Sequence, residues 1–270
     1  MVAPSDAAFF PAPQTLPPSR RGTDGARSSR KPLAMRKYTI SRLTAGGDIK
    51  RSDQIGPAMP MFESAFSAFA HGTIITTEHG PVAVEDLEPG MKIMTMGDSA
   101  EPLLWLGAMT VMPRTDGIDS EIAEDEDRLR SSLTRVMADS FGVGRPHADL
   151  MAGPGARLLL RRPARFSISG DERPLTPASH IADGMNATQI VPPAPVTVYH
   201  LCLPKHAVIS ANGIDAESFH PGAGFERNMG PNMLTLFLSF FPHVKEARDF
   251  GPLAHPRLPF GTFDSAAELA

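Results

Sequence analysis

The sequence predicts an all-β fold, and two observations carry that expectation. The 270 residues include 27 Pro and 23 Gly, which is too much punctuation for long helices and suits short strands joined by turns. From about residue 66 the apolar segments are also short, each broken by Gly or Pro within a few positions. A hydrophobic content of 41% over this length is enough to build a core, either for one large all-β domain or for two small ones.

Residues 1–35 are expected to be a disordered tail. Pro4, Pro11, Pro13, Pro17, Pro18 and Pro32 are scattered among Ser, Gly and Arg with no sustained period. The basic residues from Arg20 to Lys31 fit a solvated tail better than an address or docking site. Residues 36–65 form a transitional segment in which Lys37-Tyr38-Thr39-Ile40 can add an edge strand. Thr73–Thr77, Val82–Val84 and Lys92–Met96 then alternate as strands, with Glu78-His79-Gly80 as the first turn. Leu103–Val111, which holds the only Trp, is a longer strand. Residues 116–127 are rich in Asp and Glu without a basic residue. A solvated acidic face explains them better than a calcium site, because the alternating Asp/Asn and Gly spacing of an EF-hand loop is missing.

Charge and cysteine content narrow the function classes. A net charge of -4 and a pI near 6.1 give no general attraction to nucleic acid or anionic membrane. One cysteine, Cys202, allows neither an intramolecular disulfide nor a paired-cysteine metal site. No apolar run approaches the roughly 20 residues of a membrane span. The N-terminus lacks an apolar core followed by a small-residue cleavage site, so the expected location is the cytoplasm, or the exterior by a route without a standard signal peptide. No cofactor and no metal is expected, and the expected partner is a protein, with no nucleic acid and no membrane span implied.

The stretch Ala68-Phe69-Ala70-His71-Gly72-Thr73-Ile74-Ile75-Thr76, followed by Gly80-Pro81-Val82-Ala83-Val84-Glu85-Asp86-Leu87-Glu88-Pro89-Gly90, resembles the opening of a Hint (Hedgehog/intein) domain of the bacterial kind. Arg135-Val136-Met137-Ala138 and the run from Gly142 to Leu150 resemble the approach to the family's second block, and Gly153-Pro154-Gly155-Ala156-Arg157 occupies that block itself. Pro177–Gly184, the strand pair Val196–Leu203 and His206–Ser210, and the continuation Ala211–Phe219 extend the similarity, so that it covers about residues 66–222. Met233–Phe241, an apolar stretch ending at Pro242, reads as a short helix in a C-terminal extension over 223–270. A faint repeat, Leu87-Glu88-Pro89-Gly90-Met91-Lys92 against Ile181-Ala182-Asp183-Gly184-Met185-Asn186, follows a Pro-containing strand in each copy. The resemblance implies a compact disc or horseshoe of short antiparallel strands with pseudo-twofold halves.

The same resemblance implies self-processing chemistry. In the family a thiol attacks the carbonyl of the preceding residue, and a histidine handles the proton of the leaving amide. Here the nucleophile position is Ala68, the Ser/Thr position of the second block is Gly153, and its His position is Ala156. A methyl group has no lone pair with which to attack the Ser67 carbonyl, so the expected domain is catalytically inactive and serves as a binding or structural module. His206, at the late-block histidine position, is the one retained element, and it reads as a strand-end histidine rather than a base. The alternatives are residual processing near Ser67-Ala68, by Ser67 or by water assisted by His206, and a signal-less exported surface protein. His71 reads as a turn residue, Cys202 as a buried inert thiol, and Asn212-Gly213 as a hairpin turn. His200 can face either core or solvent. Phe69, Ile74, Val84, Leu87, Ile93, Trp105, Leu159, Val198, Leu201 and Val208 are the expected core, and Gly72, Gly90, Gly184 and Gly213 the expected turn or bulge glycines.

Overall fold

The computed structural model describes residues 34–113, 131–159 and 174–260. The expected tail over 1–35 lies outside the described residues except for its last two positions, and the acidic segment 116–127 lies wholly outside them. The described chain opens with β1 (Met35–Leu43), β2 (Ile49–Pro57) and the short helix α1 (Pro60–Ser64), whose Pro60 sits at the first helical position where no N–H is needed. Next come β3 (Phe69–Ala70), β4 (Ile74–Thr77), β5 (Gly80–Ala83), β6 (Lys92–Thr95), β7 (Ser99–Pro102) and β8 (Trp105–Val111). The later strands are β9 (Leu133–Val136), β10 (Leu150–Ala152), β11 (Arg157–Leu159), β12 (Leu175–Pro177), β13 (Ala187–Ile190), β14 (Val196–Cys202), β15 (Val208–Ala211) and β16 (Ile214–Glu217), followed by helix α2 (Pro231–Ser239).

Two sheets hold these strands. The first runs β13-β9-β10-β3-β14-β8-β1-β2, and the second β12-β11-β16-β15-β4-β6-β7 with β5 paired to β4. All these strand pairs are antiparallel. The architecture is therefore the all-β one that the Pro and Gly punctuation predicts, and strands lie at each of the four positions expected between residues 73 and 111. The turn after β15 is Asn212-Gly213, with φ of 47° and 83°, the left-handed pair that a two-residue hairpin requires. The two copies of the faint repeat also share a local plan. Each strand with its proline, β5 and β12, leads into a 3-10 turn, at Val84–Asp86 and Ala178–Ile181, then to a Gly of positive φ and another strand.

Three expectations need correction. Residues 36–65 are not a transitional segment. They form a hairpin registered from Met35↔Pro57 to Leu43↔Ile49, and a helix whose Phe62 and Glu63 are buried. The strand containing Lys37–Ile40 is not the sheet edge either, because β1 lies between β8 and β2, and β2 takes the edge. Ile74 is half-buried while Ile75 is fully buried. An Ile-Ile pair leaves the phase of a four-residue strand open, and only pairing with β5 and β15 sets which side faces inward.

The N-terminal hairpin is tied down by aromatic packing. Tyr38 of β1, Phe62 and Phe66 of the α1 region, Trp105 of β8 and Phe237, Phe240 and Phe241 of the α2 region belong to one buried cluster. Tyr38 and Phe66 lie 4.5 Å apart between ring centroids, Phe66 and Trp105 5.1 Å, and Phe62 and Phe237 5.4 Å. The Trp105 indole N–H donates to the Phe240 carbonyl at 2.8 Å. Each buried Phe contributes about 1.5–3 kcal/mol relative to an exposed one, so the segment before Ala68 is an integral part of the core. Arg36 of β1 adds an ion pair to Glu63 at 2.7 Å and donates to the Thr110 carbonyl of β8.

Candidate functional site: the Ser67–Ala68 junction and the His206 cluster

The peptide between Ser67 and Ala68 runs into β3, which pairs with β14 on one side and β10 on the other. Sheet pairing therefore orders it from both sides. The Ala68 N–H donates to the Tyr199 carbonyl at 2.9 Å, and the Ala68 carbonyl accepts from the Gly153 N–H at 2.8 Å. The Ser67 carbonyl accepts from the Gly155 N–H at 2.9 Å. Ser67 and Ala68 are both 0% exposed and Ala156 is 1% exposed.

Gly153 and Gly155 make this contact possible. A β-carbon on Gly153 would stand 2.2 Å from the Ser67 carbonyl oxygen, and one on Gly155 would stand 2.4 Å from the Ser64 carbonyl oxygen and 2.9 Å from Ser67 Oγ. Both obstacles include backbone, which cannot swing aside as a side chain can. The chain over 153–156 thus lies directly against the chain over 64–68, and on this backbone position 153 has room for no residue larger than glycine.

The histidine that reaches this junction is His200, not His206. His200 on β14 donates from Nδ1 to the Ser64 carbonyl at 3.0 Å, and its ring packs edge-on to Phe219 at 5.2 Å between centroids. Burial pushes its pKa down to about 4, so the ring is neutral at pH 7. The Ser67 hydroxyl is buried without a hydrogen-bond partner. The alternation along β14 left open which face His200 takes, and pairing with both β3 and β8 decides for the interior.

The other residues singled out from the sequence lie apart. His71 is exposed in the turn after β3, 3.3 Å from Glu85 Oε1, while Glu85 Oε2 accepts from the Gly72 N–H at 2.8 Å. Cys202 is buried, and burial pushes its thiol up to about 12, away from nucleophilic thiolate. The Asn212 side chain spans two segments, accepting from the Ile74 N–H at 2.7 Å and donating to the Asp149 carbonyl at 3.1 Å.

His206 belongs to a second cluster. Its Nδ1 accepts from the Ala254 N–H at 2.8 Å, so the ring proton sits on Nε2, which donates to Glu217 Oε1 at 2.8 Å. Glu217 Oε1 also accepts from Arg257 Nε at 2.6 Å, and Arg157 lies 3.9 Å from Oε2. Burial opposes ionisation of Glu217, but the His206 hydrogen bond and the charges of Arg257 and Arg157 outweigh it and hold the carboxyl below its ordinary range. Burial also pushes Arg157 down to about 10, which leaves it charged at neutral pH. His220 completes the group. Its Nδ1 accepts from the Gly222 N–H at 2.9 Å and its Nε2 donates to the Gly251 carbonyl at 3.0 Å. Burial brings its pKa down to about 4.

Sequence reasoning missed Glu217, Arg257 and His220, and it placed Arg157 in the second block without a role in this cluster. Strand parity would place Glu217 on the outer face with Asp215, opposite the buried Ile214 and Ala216. It is 1% exposed and its partner Arg257 lies 40 positions away. No local signal announces that pairing. Among the described residues there is no grouping of His, Cys, Asp and Glu able to hold a metal ion, and no helix is long and apolar enough to cross a membrane.

No curated protein matches this chain in sequence. Among solved structures it is similar to a bacterial intein-like domain from Clostridium thermocellum, at 15% identity and a TM-score of 0.32, over 57% of this chain and 99% of that one. It is also similar to a mutant of an Ssp DnaB mini-intein variant, at 13% identity and a TM-score of 0.30, again over 57% of this chain and 99% of the other. The family model of the Hint domain matches residues 67–223, which begin at the Ser67–Ala68 junction and run through β16. That match spans more than half of the chain, and the protein belongs to the Hint domain family.

Proposed function

We propose that this Hint domain is catalytically silent and works as a binding or structural module. The observation that carries the proposal is the junction itself, where the methyl group of Ala68 stands at the position that the family resemblance gives to the nucleophile and the backbone of Gly153–Ala156 fills the space beside it. Acyl transfer needs a lone pair on residue 68 and a proton donor at the leaving amide. Ala68 has neither a thiol nor a hydroxyl, and the amide N–H of Ala68 is engaged by the Tyr199 carbonyl. The packing of the preceding segment supports the same conclusion. A released N-terminal fragment would have to pull the buried rings of Tyr38, Phe62 and Phe66 out of the core.

The test is the intact mass of freshly purified full-length protein, before and after incubation with dithiothreitol at neutral pH. One unchanged mass is the expected result. Two fragments meeting near Ser67–Ala68 would overturn the proposal.

One observation favours a second reading. The unpartnered Ser67 hydroxyl lies inside the junction, where an attack on the Phe66 carbonyl would cleave one position earlier. Residual processing of that kind predicts fragments meeting at Phe66–Ser67 that disappear in Ser67→Ala. His206→Ala would leave them unchanged, because the hydrogen bonds of His206 go to Glu217 and Ala254.

A further inference from the structure

Residues 251–260, Gly251-Pro252-Leu253-Ala254-His255-Pro256-Arg257-Leu258-Pro259-Phe260, form a strap in which no residue is buried. The groups it grips are buried. Leu175 of β12 is 0% exposed. It donates its N–H to the Pro256 carbonyl at 2.8 Å and accepts from the Leu258 N–H at 3.0 Å, which makes a parallel bridge opposite Arg257. Strand β12 ends its sheet, so the strap adds backbone to a free edge, as an extended peptide does when it augments a sheet. Arg257 then reaches inward, with Nε on Glu217 Oε1 at 2.6 Å and its terminal nitrogen on the His220 carbonyl at 2.7 Å. Ala254 spends its N–H on His206 Nδ1, and the Gly251 carbonyl accepts from His220.

We propose that this surface is a receptor for an extended, arginine-bearing peptide segment, which the chain fills in cis with its own residues 251–260. Three groups define the specificity. The backbone of Leu175 reads an extended chain, the buried Glu217 carboxylate with the His220 carbonyl reads a guanidinium, and His206 Nδ1 reads a backbone N–H three positions before the arginine. A lysine would offer one point charge where the site presents two separate acceptors for a planar fork.

The charge balance lets the occupant leave. Glu217 faces two arginines, and if Arg257 departs, Arg157 remains as its counter-ion and His206 remains as its donor. No buried charge is stranded, which is the usual barrier to opening such a cluster. Apart from the Arg257 guanidinium, whose side chain is 10% exposed, the strap holds its place chiefly through backbone hydrogen bonds. The Arg157 guanidinium also lies 3.6 Å from the centroid of the Phe260 ring at the end of the strap, and this contact is lost with it.

The inference rests on the binding-module reading for its use, since it gives that module a site. Its test is separate from the intact-mass test, so either can fail alone. Full-length Arg257→Ala is followed by thermal melting and by amide hydrogen exchange. The expected result is a lowered Tm and exchange faster by about tenfold or more across residues 251–260 and at Leu175. Methylguanidinium in the millimolar range restores the Tm saturably, methylammonium at equal concentration does not, and a synthetic peptide of residues 251–260 restores both Tm and the protection of Leu175. Equal rescue by methylammonium, or no saturable rescue by methylguanidinium or peptide, would overturn the proposal. If Arg257→Ala does not fold, Arg257→Lys takes its place. Faster exchange confined to the strap and Leu175, slowed again by the peptide, supports the receptor, and unchanged exchange overturns it.

Discussion

The Ser67–Ala68 junction and the His206 cluster lie in the same domain and are closed by opposite means. At the junction, backbone meets backbone. Gly153 and Gly155 press their main chain against residues 64–68, and the contacts are peptide hydrogen bonds. At the cluster, side chains close the space. A carboxylate, two guanidiniums and two imidazoles are assembled from β11, β16, the loops beside β15 and β16, and the strap, and the cover is a segment with no buried residue. A region closed by main chain can open only by unfolding around it. A region closed by a polar strap can open locally, because the strap's hydrogen bonds can be exchanged for water or for another chain.

Substitutions can break the contrast. The largest effect is expected at Glu217→Ala, which leaves Arg157 and Arg257 buried side by side without their carboxylate. Loss of one partner from a buried ion cluster costs about 3–5 kcal/mol, to be read from urea unfolding midpoints. Gly153→Ser comes next. Its β-carbon would meet the Ser67 carbonyl at 2.2 Å, and forcing an atom into packed backbone costs about 1–3 kcal/mol or more. Gly153→Ser that melts like the parent would mean that the junction yields more easily than its geometry implies.

Acid sharpens the comparison, because each region holds a buried histidine whose pKa burial lowers. His200 and His220 both have pKa values pushed down to about 4 by burial, against 6.5 in the unfolded chain. The unfolded state therefore binds more protons between these values, so stability is flat above about 6.5 and falls as pH drops towards 4. The depressed pKa of Glu217 extends the loss below the ordinary carboxylate range. Ring resonances followed by NMR should separate the two histidines, and a midpoint near 6.5 for either would show that its surroundings are wetter than the packing implies. Ala68→Cys is expected to have the smallest effect. It adds one sulfur at a fully buried position but no histidine at position 156, and the expected outcome is a single intact mass with stability lowered by about 1 kcal/mol, the low end of overpacking costs.

Much of the fold was legible because it is written in short windows. The Asn212-Gly213 hairpin, the positive φ of Gly72, Gly90, Gly184 and Gly213, and the strands between residues 73 and 111 each depend on a few neighbouring residues. The helix expected over Met233–Phe241 forms over Pro231–Ser239, a shift of two residues that follows from Pro231 taking the first turn. The candidate site was less legible. His206 was singled out by position, yet its partners come from Glu217 and from Ala254 in the strap, and the histidine beside the junction proved to be His200.

By itself the sequence determined the all-β class, the turns, the family and the absence of a thiol or hydroxyl at Ala68, because backbone preferences and the chemistry of a side chain are local properties. Only the tertiary structure decided that residues 35–57 join the first sheet, that Ile75 rather than Ile74 faces inward, that glycine at 153 lets two backbones touch, and that Arg257 reaches Glu217. These are pairings between distant segments, and their free energy comes from burial and from partners that no short window contains.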